Sequence, residues 1–134
     1  MNTQTNTLTD FYGEVIYSYT RTQAIKDGVL IDLTALYPDE TGLYKYPVAC
    51  TSSIWELIDK GATNPRYHQT HKAIVWDIMY MSIKGIVRRI SESEHIFCVR
   101  IAGAGAHRNF NLKAVCHPSD DLSPCITIML PEED

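Results

Sequence analysis

The chain lacks long apolar stretches: no run in its 134 residues approaches the ~18 needed to cross a bilayer as a helix. No membrane association is expected. Its cysteines, Cys50, Cys98, Cys116 and Cys125, form no CxxC pair, and three of them sit in apolar strand patterns, which reads as buried, reduced thiols in a cytosolic protein. Twelve basic residues face sixteen acidic ones, and the net charge of -4 argues against general affinity for nucleic-acid backbones. The opening MNTQTNTLTD has neither a basic region nor an apolar core, so a flexible arm over residues 1–10 is expected rather than a secretory signal. Enzyme signatures are missing too. There is no GxSxG, HExxH or Walker loop, and Gly103 and Gly105 precede a strand pattern instead of the helix a dinucleotide fingerprint needs. His68 and His71 have no carboxylate or thiol close in sequence, while Cys116 and His117 alternate to opposite sides of a strand. The expectation is no catalytic residue, no metal and no cofactor.

What is present has ordinary globular proportions, 45% hydrophobic and 21% charged, in a length that suits one domain over residues 11–134. Its longest element is QTHKAIVWDIMYMSIKGIVRRI. Ile74, Ile78, Met81 and Gly85 share one helical stripe and Val75, Met79, Ser82, Ile86 and Ile90 the next, which predicts a helix from Thr70 to about Ile90, roughly 30 Å long. Before it, Phe11 to Tyr19 reads as a strand, Thr20 with Gln23 as a capping box for a short helix closed by Gly28, and Val29 to Leu33 as a second strand. Pro47 to Cys50 is a short strand candidate. Ser53 and Glu56 suggest another capping box, with its helix ending on Gly61. After the long helix, His95–Ile101, Asn109–His117 and Cys125–Leu130 alternate in period two and are joined by turn residues, the pattern of an antiparallel meander. The fold predicted is α+β: an antiparallel sheet of about five strands with one long helix and one or two short helices packed on it.

Charge is unevenly placed along this frame. Six basic and two acidic residues lie between Lys84 and Lys113, a local balance of +4 that leaves -8 for the remainder. A local basic surface on an acidic chain suits a small anion better than a long polyanion. Gly103 and Gly105 let backbone amides approach such an anion, Arg108 and Asn109 follow directly, and Arg100 and Lys113 stand on the flanking strands. Arg21, a cation in a helix's first turn where the dipole disfavours it, is a further phosphate candidate. Phe97 and Trp76 are candidates for stacking a base. Surplus apolar residues on the long helix, including Trp76, Met79, Tyr80 and Met81, allow a homo-oligomer.

The segments FYGEVIYSYTRTQAIKDGVLIDL, KYPVACTSSIW, IVWDIMYM and NLKAVCHPSDDLSPCITIMLPEED resemble, in order and from Phe11 onward, a family of small proteins of unknown function carried by phages and mobile elements. They are also similar to the phage anti-defence proteins that counter Thoeris by sequestering cyclic ADP-ribose signals. That resemblance implies a non-catalytic sponge for a cyclic nucleotide, acting as an oligomer in the host bacterial cytoplasm. It carries no ligand residue across one by one, and the stretches 37–46 and 62–69 depart most from the pattern. The alternative expectation is a protein-directed inhibitor of a host nuclease defence complex, working through the acidic surface.

Overall fold

A computed structural model describes residues 20–133. The expected arm at 1–10 and the strand expected from Phe11 to Tyr19 lie outside the described residues. The first element is α1 (Arg21–Lys26), which begins where the Thr20 hydroxyl accepts the Gln23 amide at 3.0 Å. Gly28, at φ +78°, turns the chain into β1 (Leu30–Asp32). Asp32 then accepts the Ala35 amide at 3.0 Å and starts α2 (Leu33–Leu36), so that Leu33, expected to end the strand, opens a turn of helix instead. A 3₁₀ turn at Glu40–Leu43 leads to β2 (Val48–Thr51), and two helices follow, α3 (Ser52–Thr63) and α4 (His71–Lys84). The chain ends in β3 (Ile86–Arg89), β4 (Glu94–Arg100), β5 (Asn109–Pro118) and β6 (Pro124–Met129).

The strands form one sheet in the order β1-β2-β6-β5-β4-β3. The meander is as expected: β4, β5 and β6 pair antiparallel, with Phe97 opposite Leu112 and Ala114 opposite Ile128. Elsewhere the expectation is corrected. Among the described residues the sheet has six strands and is mixed, because β2 runs parallel to β6 with Val48 beside Ile126, and four helices accompany it. Strands so distant in sequence share no turn whose residues could announce their direction.

The long helix is also shorter than its stripe suggested. It stops at Lys84, where the Gly85 amide donates to the Met81 carbonyl at 2.7 Å. A Cβ at position 85 would stand 2.6 Å from Met81 Cε and 2.9 Å from the Cys98 carbonyl, so the chain turns there on a residue without a side chain. Ile86, Val87 and the two arginines then favour an extended edge strand on β4, Ile86 opposite Phe97, which breaks register around Val87. At 14 residues α4 spans about 21 Å. Gly61 likewise lies inside α3 rather than after it: a Cβ there would meet Ile101 and Ile74 at 3.0 Å, so it is a point of close helix contact.

The helices α3 and α4 bury Ile54, Ile58, Ile74, Val75, Ile78 and Met79 against Val48, Phe97, Val99, Leu112, Ile126 and Ile128 of the sheet. Full burial of each such side chain contributes roughly 1.5–3 kcal/mol, which makes this layer the main source of stability. Polar ties fix its rim. The Ser82 hydroxyl donates to the Met79 carbonyl at 2.6 Å and so accepts from Tyr44, also at 2.6 Å, while His95 Nε2 donates to the Ser82 carbonyl at 2.6 Å. By strand alternation Thr51, Val115, His117, Thr127 and Met129 face the other way. It is on that second face that α1 sits.

The candidate ligand-binding cleft

Between α1 and the second face lies an open cleft of about 830 Å³. Ala24, Val29, Leu30, Val115 and Met129 form its apolar wall, and Arg21, His117 and Thr127 its polar floor. A volume of this order is that of a small-molecule site, ~300–1,000 Å³.

Arg21 reaches the floor because α1 is fastened by its start to the β5–β6 turn. Asp120 accepts the Arg21 amide at 2.7 Å, the Thr22 amide at 3.0 Å and the Thr22 hydroxyl at 2.6 Å. Those hydrogen bonds hold its carboxyl below the usual aspartate range, the Thr22 hydroxyl contributing most. The carboxylate also answers the helix dipole, so the cation in the first turn is not left uncompensated. Asp121 is tied within the same turn by Ser119 and Ser123, whose hydroxyls bring its pKa to about 2.

The Arg21 guanidinium is itself aimed. Nη1 donates to Thr127 Oγ1 at 2.9 Å and Nη2 to the Ile126 carbonyl at 3.0 Å. His117 completes the floor. Its Nδ1 lies 3.1 Å from the Pro118 carbonyl, which can only accept, so Nδ1 carries the proton and Nε2 accepts from Thr127 at 2.7 Å. The chain of donors therefore runs from Arg21 to Thr127 to His117 to Pro118. Burial, more than the nearby Arg21 charge, pulls the His117 pKa below its ordinary value and keeps the ring neutral. Cys125, beneath it, donates to the His117 carbonyl at 3.3 Å, and burial raises its pKa. The Cys125 sulfur lies 3.7 Å from both ring nitrogens of His117.

The residues expected to form an anion site are divided by the fold. Arg100 and Asn109 are direct cross-strand partners, and Arg108, Gly103 and Gly105 complete the same β4–β5 hairpin tip. Both arginines there are exposed, and the cleft shares none of these residues. At Gly103, φ +83°, a Cβ would come within 2.9 Å of the Tyr67 ring and 3.0 Å of Asn64, and the carbonyl accepts from Asn64 Nδ2 at 3.3 Å. Gly105, at φ +140°, faces open space.

Lys113 is four residues further along β5, about 13 Å away. It is 7% exposed, and Nζ donates to the Glu133 carbonyl at 2.5 Å. Glu133 is itself pinned there, since its carboxylate also accepts from Thr51 and from the Leu130 amide. Phe97 is 0% exposed in the helix-covered core, out of reach of a ligand. Trp76 is exposed but stacks on Tyr80, ring centroids 5.0 Å apart, on α4. Of the nine residues named from the sequence, Arg21 alone lines the cleft.

His117, Thr127, Val115 and Met129 went unnamed. Their signal was weak: alternation placed them on one face, but only the docking of α1 makes that face a wall. His71, set aside as a ligand, is held by Asp59 at 2.9 Å and stacks on Trp55. No group of three potential metal ligands occurs among the described residues. Nor does any helix among them have the length and apolarity to cross a membrane.

A model described as a family of unknown function (DUF6573) matches residues 8–134. The chain belongs to that family. No curated protein and no solved structure matches it. Since family membership brings no ligand, any role for the cleft of this DUF6573 member has to be argued from its own side chains.

Proposed function

We propose that this protein is a non-catalytic binder that captures a small anionic nucleotide signal, of the cyclic ADP-ribose or cyclic oligonucleotide kind, and removes it from circulation in a bacterial cytoplasm as a phage-borne anti-defence protein. The observation that carries the binding part is the cleft beside α1, with an apolar wall for a base and a pre-aimed arginine on its floor. The nucleotide signal and the phage setting rest on the sequence resemblance. Sequestration asks only for affinity above that of the effector, with no acid, base or nucleophile. Isothermal titration with cyclic ADP-ribose isomers and cyclic oligonucleotides tests it. Heat with at least one member, and recovery of that molecule unchanged after heating the complex, is the expected result; silence across the whole panel removes the proposal.

A second reading has its own observation. Trp76, Tyr80 and Ile83 leave an exposed apolar stripe on α4, and Val87 of the exposed edge strand β3 and Ile90 after it are exposed as well. With the balance of -8 outside Lys84–Lys113, this suits an inhibitor directed at a host protein, or a homo-oligomer. Light scattering that shows a monomer, with a stoichiometric host partner on pulldown, favours the inhibitor.

A further inference from the structure

We infer that the cleft selects ligands with one anionic group on a mainly apolar or planar body, the anion resting on Arg21 and the body on the wall formed by Ala24, Val29, Leu30, Val115 and Met129. This rests on the reading of the cleft as a binding site.

The argument is an inventory of donors. A guanidinium carries five N–H groups, and Arg21 commits two of them to Thr127 and Ile126. It therefore keeps hydrogens for a ligand while its orientation is already fixed, which lowers the entropic cost of binding. The other side-chain donors of the lining are mostly committed: Thr127 donates to His117, His117 to the Pro118 carbonyl, Thr51 to Glu133 and Ser119 to Asp121. The Thr20 hydroxyl, which accepts from Gln23, keeps one neutral donor beside Arg21. Arg21 is the one arginine or lysine lining the cleft among the described residues. A carboxylate, Asp120, stands on the same rim, and a second anionic group would meet it.

The apolar side of the cleft asks for an occupant as well. Val29 is 49% and Leu122 80% exposed at the mouth, surface that an apolar or planar body would cover. Together these features rank ligands by charge. A cyclic mononucleotide with its one phosphate fits outright, whereas a cyclic dinucleotide or a cyclic ADP-ribose isomer, the signals of the proposed function, binds with one phosphate on Arg21 and the other held out of the cleft, at a cost in affinity.

Titration of the full chain with a cyclic mononucleotide, an aryl carboxylate, the uncharged nucleoside, a cyclic dinucleotide and a cyclic ADP-ribose isomer decides it. The singly charged probes should bind roughly tenfold or more tightly than both the neutral and the doubly charged ones. Arg21→Gln should abolish the preference over the nucleoside, and Arg21→Lys should restore part of it, with circular dichroism reporting that both variants are folded. Asp120→Asn, which removes the charge and keeps one of the two oxygens that cap α1, should narrow the discrimination against two charges, with circular dichroism reporting that this variant too is folded. Equal or tighter binding of a doubly charged probe overturns the inference and leaves the cleft as a site. So does affinity indifferent to Arg21→Gln. Absence of binding by every probe overturns the binding function itself.

Discussion

The β4–β5 hairpin tip and the cleft beside α1 are built on the same sheet, yet they offer an anion opposite things. At the tip two exposed arginines gather beside Gly105, which faces open space, so each cation remains hydrated and screened. In the cleft a single arginine is half-buried, held by two hydrogen bonds and backed by an apolar wall. Enclosure, more than the number of charges, makes a cation useful for recognition, because it removes competing water and fixes the geometry in advance.

The comparison is most sharply broken by residues that were read as binding groups and turn out to hold the fold. Phe97→Ala should cost about 3–5 kcal/mol in urea unfolding, since the ring is fully buried between α4 and the sheet. A cost below about 1 kcal/mol would mean that Phe97 is not core. Gly103→Ala should come next. It places a Cβ at positive φ, 2.9 Å from the Tyr67 ring, and about 1–3 kcal/mol of strain is expected in the same measurement. Arg21→Gln should weaken ligand binding by roughly tenfold, about 1.4 kcal/mol, while Arg100→Gln and Arg108→Gln change it by less than about twofold. The reverse ranking in calorimetry would move the site to the hairpin tip. Thr20→Ala removes the α1 cap and should cost about 1 kcal/mol of stability.

The smallest effect concerns pH. Because the folded protein lowers the His117 pKa, the unfolded chain binds the proton more readily. This group's contribution is present above the ordinary histidine value of about 6.5 and fades as pH falls through the folded value. Urea midpoints should therefore decline from pH 7 toward pH 5, and less so in His117→Gln. A midpoint that rises over that interval would contradict a His117 pKa lowered by partial burial.

Parts of this molecule were legible from residue order because their causes are local. Thr20 with Gln23, the glycine after α1 and the period-two alternation of the meander each act within a few residues, and each element appeared close to where it was read. The stripe of α4 was legible too, but it ran on by coincidence: Ile86 and Ile90 fit a helical period while belonging to chain that Gly85 has already turned. The cation cluster failed for a different reason. Nearness in sequence between Arg100, Arg108 and Lys113 could not reveal that Lys113 turns to the Glu133 carbonyl from the chain's end. Arg21 was noticed through its conflict with the helix dipole, and that conflict is answered by Asp120, far along the chain.

By itself the order of amino acids determined the α+β character, the meander, the helix starts at Thr20 and Thr70 and the sparing use of positive charge, all effects of hydrophobic period, capping and composition that act over short spans. Tertiary structure alone decided that β2 would lie parallel to β6, that Phe97 would be core, and that Arg21, Thr127 and His117 would share one floor. Those outcomes depend on contacts between segments up to 106 residues apart, where no local preference selects one partner over another and only the packing of the whole does.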